Sequence, residues 1–600
     1  MKIKTILAAM AVVMAAGCAK EQGGEVSGQT AAPQILAEMA EQPATRTCID
    51  SDALVAGENT AVLWMPGDQL GVFTSGSSNV LYTNDEQTEN IPNASFSSDA
   101  TVSGDVQYAY YPYDAANDGK AATALTGTIP AEQTMGQNIP ADYKYGQLKA
   151  VTAEGGYKFK FHNMFSLVRF KIDATGTALE GKTLESVTMT VTRDGAAVPV
   201  TGDFTFSAVD GTYTEGTTSN ELKTVWNQTL DGAVSSFATV FPEVQSGDKL
   251  TFTFKAGELA ATLSVTSKAD FEPEMYYTFP LTLANFSGLK VEKTVSGTFT
   301  AATYNVDGLP QKISFITVNG DGPGSSGTAN ISKSIAADNW DFIGFSEDFE
   351  YHSELTGELS SIYTFGTHRG SVNASALYST LDTDGLCFAT RKSTCAFSGE
   401  MWTEFSSASG GLSSGANTCI KKGFRHYVVA LADGTEIDVI ITHMNTYSSS
   451  GSGHINAQHA QLKQVAQYIN SIRSNNRPVI FMGDTNCRYT RHDFQTYFWG
   501  VLDSDLEVND PWVDFMWDGV YPTYPSNSLV VEDATGTSDT DIICSSQKGE
   551  VVDKIIYINN PNAAVQISAN DYLRDSAYQG LADHWPIVVE FSYSGTITVE

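Results

Sequence analysis

The sequence predicts a multidomain chain: an all-β sandwich region followed by an α/β domain. Three observations carry that prediction. The chain has 600 residues, more than one hydrophobic core serves, so two to four domains are expected. Residues 44–290 hold short runs rich in Val, Thr, Phe and Tyr between Gly, Asp, Asn and Ser turns, the pattern of half-buried strands. From about residue 297, apolar strand-like runs alternate with helical stretches, the order of an α/β fold.

The N-terminus reads as a targeting segment. Lys2 and Lys4 give a basic start, and Ile6 to Ala16 is an apolar run too short to span a bilayer comfortably. It ends at Ala15-Ala16-Gly17-Cys18, which resembles a bacterial lipobox. The resemblance implies that residues 1–17 are a lipoprotein signal peptide and that Cys18 becomes the acylated anchor. The alternative is an ordinary secretory signal in which Cys18 is incidental. Residues 18–43 are polar, small and low in aromatics, as a flexible tether would be. The expected location is the outer membrane, facing the periplasm or the cell surface.

Two sandwiches are expected next, over 44–165 and 166–290. The carrying runs include Gln69-Leu70-Gly71-Val72-Phe73, Leu167-Val168-Arg169-Phe170-Lys171-Ile172 and Lys249-Leu250-Thr251-Phe252-Thr253-Phe254, which alternate as half-buried strands do. The stretches Trp64-Met65-Pro66-Gly67-Asp68-Gln69, Tyr110-Tyr111-Pro112-Tyr113 and Ile129-Pro130-Ala131-Glu132-Gln133-Thr134 resemble fimbrillin-like lipoprotein modules of bacteroidetes. Tyr108 to Tyr113 is either a glycan platform or, the better expectation, a packed sheet face. Spacer, adhesion and partner-binding roles remain open for this region.

Charge bounds the partners. The chain carries 69 acidic and 35 basic residues, a net charge of −34. A broad nucleic-acid binding surface is therefore not expected, although a bound cation can offset repulsion locally. Oligomeric state is not fixed by the sequence. Beyond Cys18 there are Cys48, Cys387, Cys395, Cys419, Cys487 and Cys544. None has zinc-finger spacing. An exported chain permits disulfides, with Cys387, Cys395 and Cys419 the expected participants. All histidines but His162 lie after residue 300; His352, His454, His459 and His492 sit in polar stretches and read as surface residues. Arg473 and Arg477 read as solvated surface too. The aromatic segment with Trp512, Phe515, Trp517, Tyr521 and Tyr524 is either a membrane-contact loop or core.

Six junctions carry the chemistry of the second half. Thr298 to Tyr304 runs into Asn305, Trp340 to Ser346 into Glu347, and Ile437 to Thr442 into His443. Val479 to Gly483 runs into Asp484-Thr485-Asn486, Val551-Val552 into Asp553, and Asp583-His584 precedes Ile587-Val588-Val589. Asp484 and Asn486, two apart, point to one side. Each junction alone is a turn former or helix cap. Jointly they supply ligand, acid/base and amide groups, enough to hold a metal, orient a phosphate and activate water.

At Gly483-Asp484-x-Asn486 and Asp583-His584-x-Pro586, with the weaker Tyr304-Asn305 and Thr442-His443, residues 297–594 resemble the endonuclease/exonuclease/phosphatase superfamily. The resemblance implies a four-layered α/β sandwich and a metal-dependent phosphodiesterase or phosphatase. It implies Glu347 as ligand for Mg²⁺ or another hard divalent cation, with Asn305 beside it. His584 is then the general base, Asp553 its orienting carboxylate, Asp484 the group positioning the nucleophile, and Asn486 a phosphate holder. His443 stabilises the transition state or protonates the leaving oxygen. Asp583 is a second metal ligand or a partner of His584. Cys487 beside this motif lacks a base partner and does not suit a nucleophile.

Glu347-Asp348-Phe349 and Lys421-Lys422-Gly423-Phe424 resemble segments of the sphingomyelinase branch. They lean the expected phosphoester substrate towards a phospholipid or sphingolipid headgroup, met at the membrane through lipidated Cys18. Two alternatives stand: an extracellular nuclease of the same superfamily, to which Arg488 and Arg491 would contribute, and a surface adhesin with an inactive hydrolase-like domain.

Overall fold

The computed structural model describes residues 30–39, 48–49, 62–136, 138–313, 316–317, 319–370, 383–409, 420–446, 452–487, 493–519, 552–574 and 576–599. Cys18, Cys419, Arg488, Arg491, His492, Tyr521, Tyr524 and Cys544 lie outside them. The chain divides into two units, Met1–Lys290 and Val291–Glu600. Among the described residues, no helix is long and apolar enough to cross a membrane.

In the first unit, seven strands close into a barrel instead of the expected sandwich. In order around it they are Lys144–Val151, Tyr157–Asn163, Ile35–Met39, Asn93–Ser97, Val80–Asn84, Gln69–Thr74 and Val106–Tyr111. Alternate residues fill its interior: Ile35, Ala37, Leu70, Val72, Phe159 and Phe161, around Trp64. Within the expected tether 18–43, Ile35–Met39 is a strand instead, pairing parallel with Tyr157–Phe161 and antiparallel with Asn93–Phe96. Closure removes the free edge such a strand would otherwise present. Tyr110 is fully buried and donates to Asn79 Oδ1 at 2.8 Å, which makes Tyr108–Tyr113 mainly a packed face.

The division at 165/166 does not hold either. Leu125–Ile129 pairs with Thr201–Phe206, and Glu132–Thr134 runs parallel to Lys223–Val225, so strands of the first segment complete sheets of the second. Those later sheets meet face to face through Phe170, which stands edge-on to Phe252 and Trp226.

The second unit contains two six-stranded sheets. The first uses β1 (Lys290–Asn305), β2 (Phe342–Ser346), β3 (Tyr363–Phe365), β4 (Cys387–Arg391), β11 (Val565–Arg574) and β12 (Ile587–Val599), in the order β11-β12-β1-β2-β4-β3. The second uses β5 (Cys395–Glu404), β6 (Gly423–Leu431), β7 (Glu436–His443), β8 (Val479–Asp484), β9 (Glu507–Asn509) and β10 (Asp553–Asn559), in the order β5-β6-β7-β8-β10-β9. Each sheet has one parallel pair at its centre, β1 with β2 and β7 with β8. The β1–β12 ladder runs from Val291↔Val599 to Thr303↔Ile587, so the fold extends beyond the expected 297–594 limits at both ends.

Side-chain alternation sets the packing. Phe299, Ala301 and Phe342 of the first sheet pack on Val439, Ile441, Ile480 and Met482 of the second. The opposite residues of β1 and β2, Ala302, Tyr304, Ile343 and Phe345, pack on Ile331, Ile335, Leu355 and Leu359. These belong to helices α1 (Gly324–Asp338) and α2 (His352–Leu359). Leu462, Val465 and Ile469 of α3 (Ser452–Ile472) cover Ile440, Phe481 and Ile556. Burial of this kind contributes roughly 25 cal/mol per Å² of apolar surface. Trp512 of the short helix α4 (Pro511–Met516) is core, whereas Phe515 is 39% exposed.

Cys387 and Cys395 are free, which corrects the disulfide expectation for both. Cys395 Sγ instead faces the Asp341 carbonyl at 3.1 Å. His352 and His459 are not plain surface residues: each is half-buried against a carboxylate, Asp348 and Asp493 respectively. Arg473 pairs with Asp503 and Asp505, and Arg477 with Glu436, as solvated surface arginines do.

Candidate active site

The two central parallel pairs end side by side. Their ends, with the starts of β10 and β12, bring Asn305, Glu347, His443, Asp484, Asp553 and His584 together. Asp484 is the hub. Its carboxylate forms one group of close donor atoms with Glu347 and His443 and another with Asp553 and His584, each within 4.8 Å. Asn305 Nδ2 donates to Asp484 Oδ2 at 3.1 Å and to Glu347 Oε1 at 3.2 Å, and so ties the two sheets. His443 Nε2 lies 3.8 Å from Glu347 Oε1 and 3.6 Å from Asp484 Oδ2.

Local backbone rules place these groups. Gly483 adopts φ +136°, and a Cβ there would lie 2.0 Å from the Thr442 carbonyl oxygen. Only glycine permits that approach of β8 to β7. Glu347 and Asn486 have φ of 58° and 50°, left-handed values that are uncommon for Glu and cluster at functional sites. The loops after β7 and β8 are pinned by α3. Gln458 donates to the Asn486 carbonyl at 2.8 Å, and Gln461 accepts from Asn445 N at 2.9 Å. Asn486 donates to the Met444 carbonyl at 3.2 Å, while its own N–H donates to Asp484 Oδ1 at 2.8 Å.

The two imidazoles differ. His584 Nδ1 lies 2.5 Å from Asp553 Oδ2. Burial disfavours its charged form, but the Asp553 carboxylate, then Asp583 and Asp484, raise its pKa well above the ordinary value. Asp553, one of the two carboxylates offered as its partner, is in contact with it. His443 is lowered to about 3, first by burial and then by the Lys422 ammonium. Its Nδ1 has no hydrogen-bond partner among the described residues. Asp583 is exposed and acts electrostatically on Glu347 and on Asp307.

Sequence reasoning passed over two residues here. Asp307 is raised to about 7, chiefly by burial and then by Asp583 and Glu347. It stands two residues after Asn305, the spacing already used for Asp484 and Asn486, and that was its available signal. Lys422 is 3% exposed. Burial lowers it to about 8, against the opposing pull of Glu347 and Asp484. Its position before β6 was read as a mark of substrate branch instead of a site group.

The donor set fits a hard divalent cation. It is made of carboxylates and one amide oxygen, and two of the carboxylates, Asp307 and Glu347, are raised by burial and by their acidic neighbours. Glu347 is raised by burial and then by Asp583.

Known proteins resemble both units. Residues 45–301 match the fimbrillin-like family. Sphingomyelinases of Mycobacterium tuberculosis and Mycobacterium bovis are 28% identical over 319 residues, 52% of this chain and 56% of theirs. The chain thus spans about half the length of these curated relatives. Solved structures with a similar trace include sphingomyelinase C from Streptomyces griseocarneus, at 15% identity and TM-score 0.33, covering 49% of this chain and 99% of that one. The human Nocturnin catalytic domain with bound sulfate has 15% identity and TM-score 0.34, covering 50% and 97%. The chain thus carries a stretch, 45–301, that matches the fimbrillin-like family, and is similar over 319 residues to sphingomyelinases.

Proposed function

We propose that Val291–Glu600 is a divalent-cation-dependent phosphodiesterase that hydrolyses a lipid phosphodiester of the sphingomyelin type. The observation that carries this reading is Asp484 shared between the His443–Glu347 group and the His584–Asp553 pair. Two sheets packed face to face, with α1 and α2 against the first and α3 against the second, support the four-layered reading. The sphingomyelinase relatives favour the headgroup substrate.

Glu347, with Asn305 and Asp307 beside it, would hold Mg²⁺, which supplies Lewis-acid polarisation of a phosphoryl oxygen. The remaining chemistry belongs to side chains. Asp553 accepts from His584 Nδ1, which leaves Nε2 to take a proton from the attacking water. Asp484 fixes that water relative to the phosphorus, and the Asn486 amide donates to a phosphoryl oxygen. His443, neutral near pH 7, donates a hydrogen bond to the developing charge. Lys422 adds an ammonium at the same place. Cys18, if lipidated, would hold the enzyme at the surface of an outer membrane that presents such substrates.

The test is a substrate panel with the purified chain. Sphingomyelin should release phosphocholine with Mg²⁺, and EDTA should abolish the release. Preferential cutting of plasmid DNA would favour a nuclease. Failure on sphingomyelin, plasmid DNA and bis-p-nitrophenyl phosphate alike would leave an adhesin with an inactive hydrolase-like unit.

A further inference from the structure

A second cluster of ligating side chains stands beside the first and takes no part in the chemistry above. Asp348 follows Glu347, His352 opens α2, and Cys387 opens β4. One donor atom from each lies within 4.8 Å of the other two. Asp348 is 1% exposed and Cys387 is fully buried. Asp348 Oδ2 meets His352 Nδ1 at 2.6 Å. The His368 ring lies flat on the His352 ring, 3.9 Å away and 10° from parallel, and its Nε2 contacts the Asp348 carbonyl at 3.0 Å. His352 is therefore held in orientation from one side by a carboxylate and from its face by a second imidazole.

An Asp–His ion pair explains the 2.6 Å contact. It leaves over the Cys387 thiol, which hydrogen-bonds the same carboxylate and so brings a sulfur to the pair. A carboxylate oxygen, an imidazole nitrogen and a sulfur are the donors that borderline-soft divalent ions select, whereas the first site offers only nitrogen and oxygen. The partial exposure of His352 gives an ion a way in.

We infer that Asp348, His352 and Cys387 form a second metal site, for Zn²⁺ or an ion of similar softness, separate from the hard-cation site at Glu347. Binding forms bonds from the metal to Asp348 oxygen, His352 nitrogen and Cys387 sulfur, and the thiol proton leaves to solvent. The ion ties together the turn after β2, the start of α2 and the start of β4, three segments that converge beside Glu347. This inference does not depend on the phosphodiesterase reading.

Cobalt is the probe. Chelator-stripped full-length chain should take up Co²⁺ with a thiolate-to-cobalt absorption in the near ultraviolet, and Zn²⁺ should displace it and raise Tm in a concentration-dependent way. His352→Gln and Cys387→Ser should each abolish the band. Cys395→Ser, Cys487→Ser and Glu347→Gln should keep it, which separates this site from other thiols and from the first metal site. Cys387→Ser fills a buried position and could unfold the chain; His352→Gln, at a half-buried position, carries the same test without that risk. No band in the unmodified chain, or a band that survives His352→Gln, would overturn the assignment.

Discussion

Charge is treated in opposite ways in the core of the first unit and at the candidate site of the second. In the first, the buried charges of Asp142, Lys144 and Asp248 meet fixed partners. Lys144 contacts Asp142 and donates to Asn163 Oδ1 at 2.6 Å, and Asp248 accepts from Arg193 Nε at 2.7 Å and Nη2 at 2.9 Å. At the site of the second, Asp307, Glu347, Asp484 and Asp553 converge on one place, with exposed Asp583 acting on Asp307 and Glu347 and the buried Lys422 nearby. The outcome is visible in the acids themselves. Asp248 is lowered by its Arg193 hydrogen bonds, while Asp307 is raised to about 7 by burial and like charge. Satisfied charge holds a fold together; crowded charge marks where a fold has given up stability for a ligand.

The sharpest way to break that comparison is to remove one crowded group and look for loss of function without loss of fold. His584→Ala should lower kcat by about 10² to 10⁴ and move Tm little, because the residue caps no core. Near-normal turnover would reduce the unit to a fold without this chemistry. Asp553→Asn should act through His584 and cost about 10-fold or more. Its separate signature is a titration. In metal-free protein the His584 imidazole should titrate above the usual range by NMR, since Asp553 favours the cation. Asp553→Asn should move that titration down, and with it the acidic limb of the rate profile, because the base must be neutral. An unmoved titration would detach Asp553 from His584.

Glu347→Gln should act on the cation, not the proton. The Mg²⁺ needed for half-maximal rate should rise about 10-fold or more, with kcat at saturation falling less. An unchanged Mg²⁺ requirement would remove Glu347 as a ligand. Asp307→Asn sharpens the comparison from the stability side. Its folded-state pKa lies above the unfolded 3.8, so its contribution is fully present below pH 3.8 and is lost as pH rises towards 7. In EDTA at pH 8, Asp307→Asn should therefore raise Tm by about 3 °C, and the gain should vanish at pH 4. A variant less stable at pH 8 would show that Asp307 is well satisfied.

Sequence alone exposes the strand-end groups because chemistry and strand period coincide there: Asp484 and Asn486 follow an apolar run, and Asp583-His584 precede one. It conceals whatever depends on pairing over distance. Ile35–Met39 is a five-residue run whose partners lie 60 and 120 residues away, so composition alone makes it a tether. Strand exchange by Leu125–Ile129 has the same cause. Lys422 hides differently. Its run reads as polar, and only the folded chain shows that the ammonium is buried against Glu347 and Asp484. Asp307 was within reach of the spacing argument and was passed over.

The smallest expected effect tests the satisfied side. Asp248 accepts from Arg193 and from Gln245 N at 2.8 Å, and its pKa is held below 3.8. A lowered acid stabilises the fold above its unfolded pKa, and the effect is lost as pH falls through the folded value. Arg193 is 40% exposed, so solvent screens much of the pair. Asp248→Asn should cost about 1 kcal/mol at pH 7, read as a Tm fall of a few degrees. Hydrolysis should not change, because the pair lies in the other unit. The difference from the unmodified chain should shrink between pH 4 and pH 2 as Asp248 takes up its proton. A difference that persists at pH 2 would assign the loss to packing around the turn at Gln245, and the opposition between satisfied and crowded charge would then rest on the second unit alone.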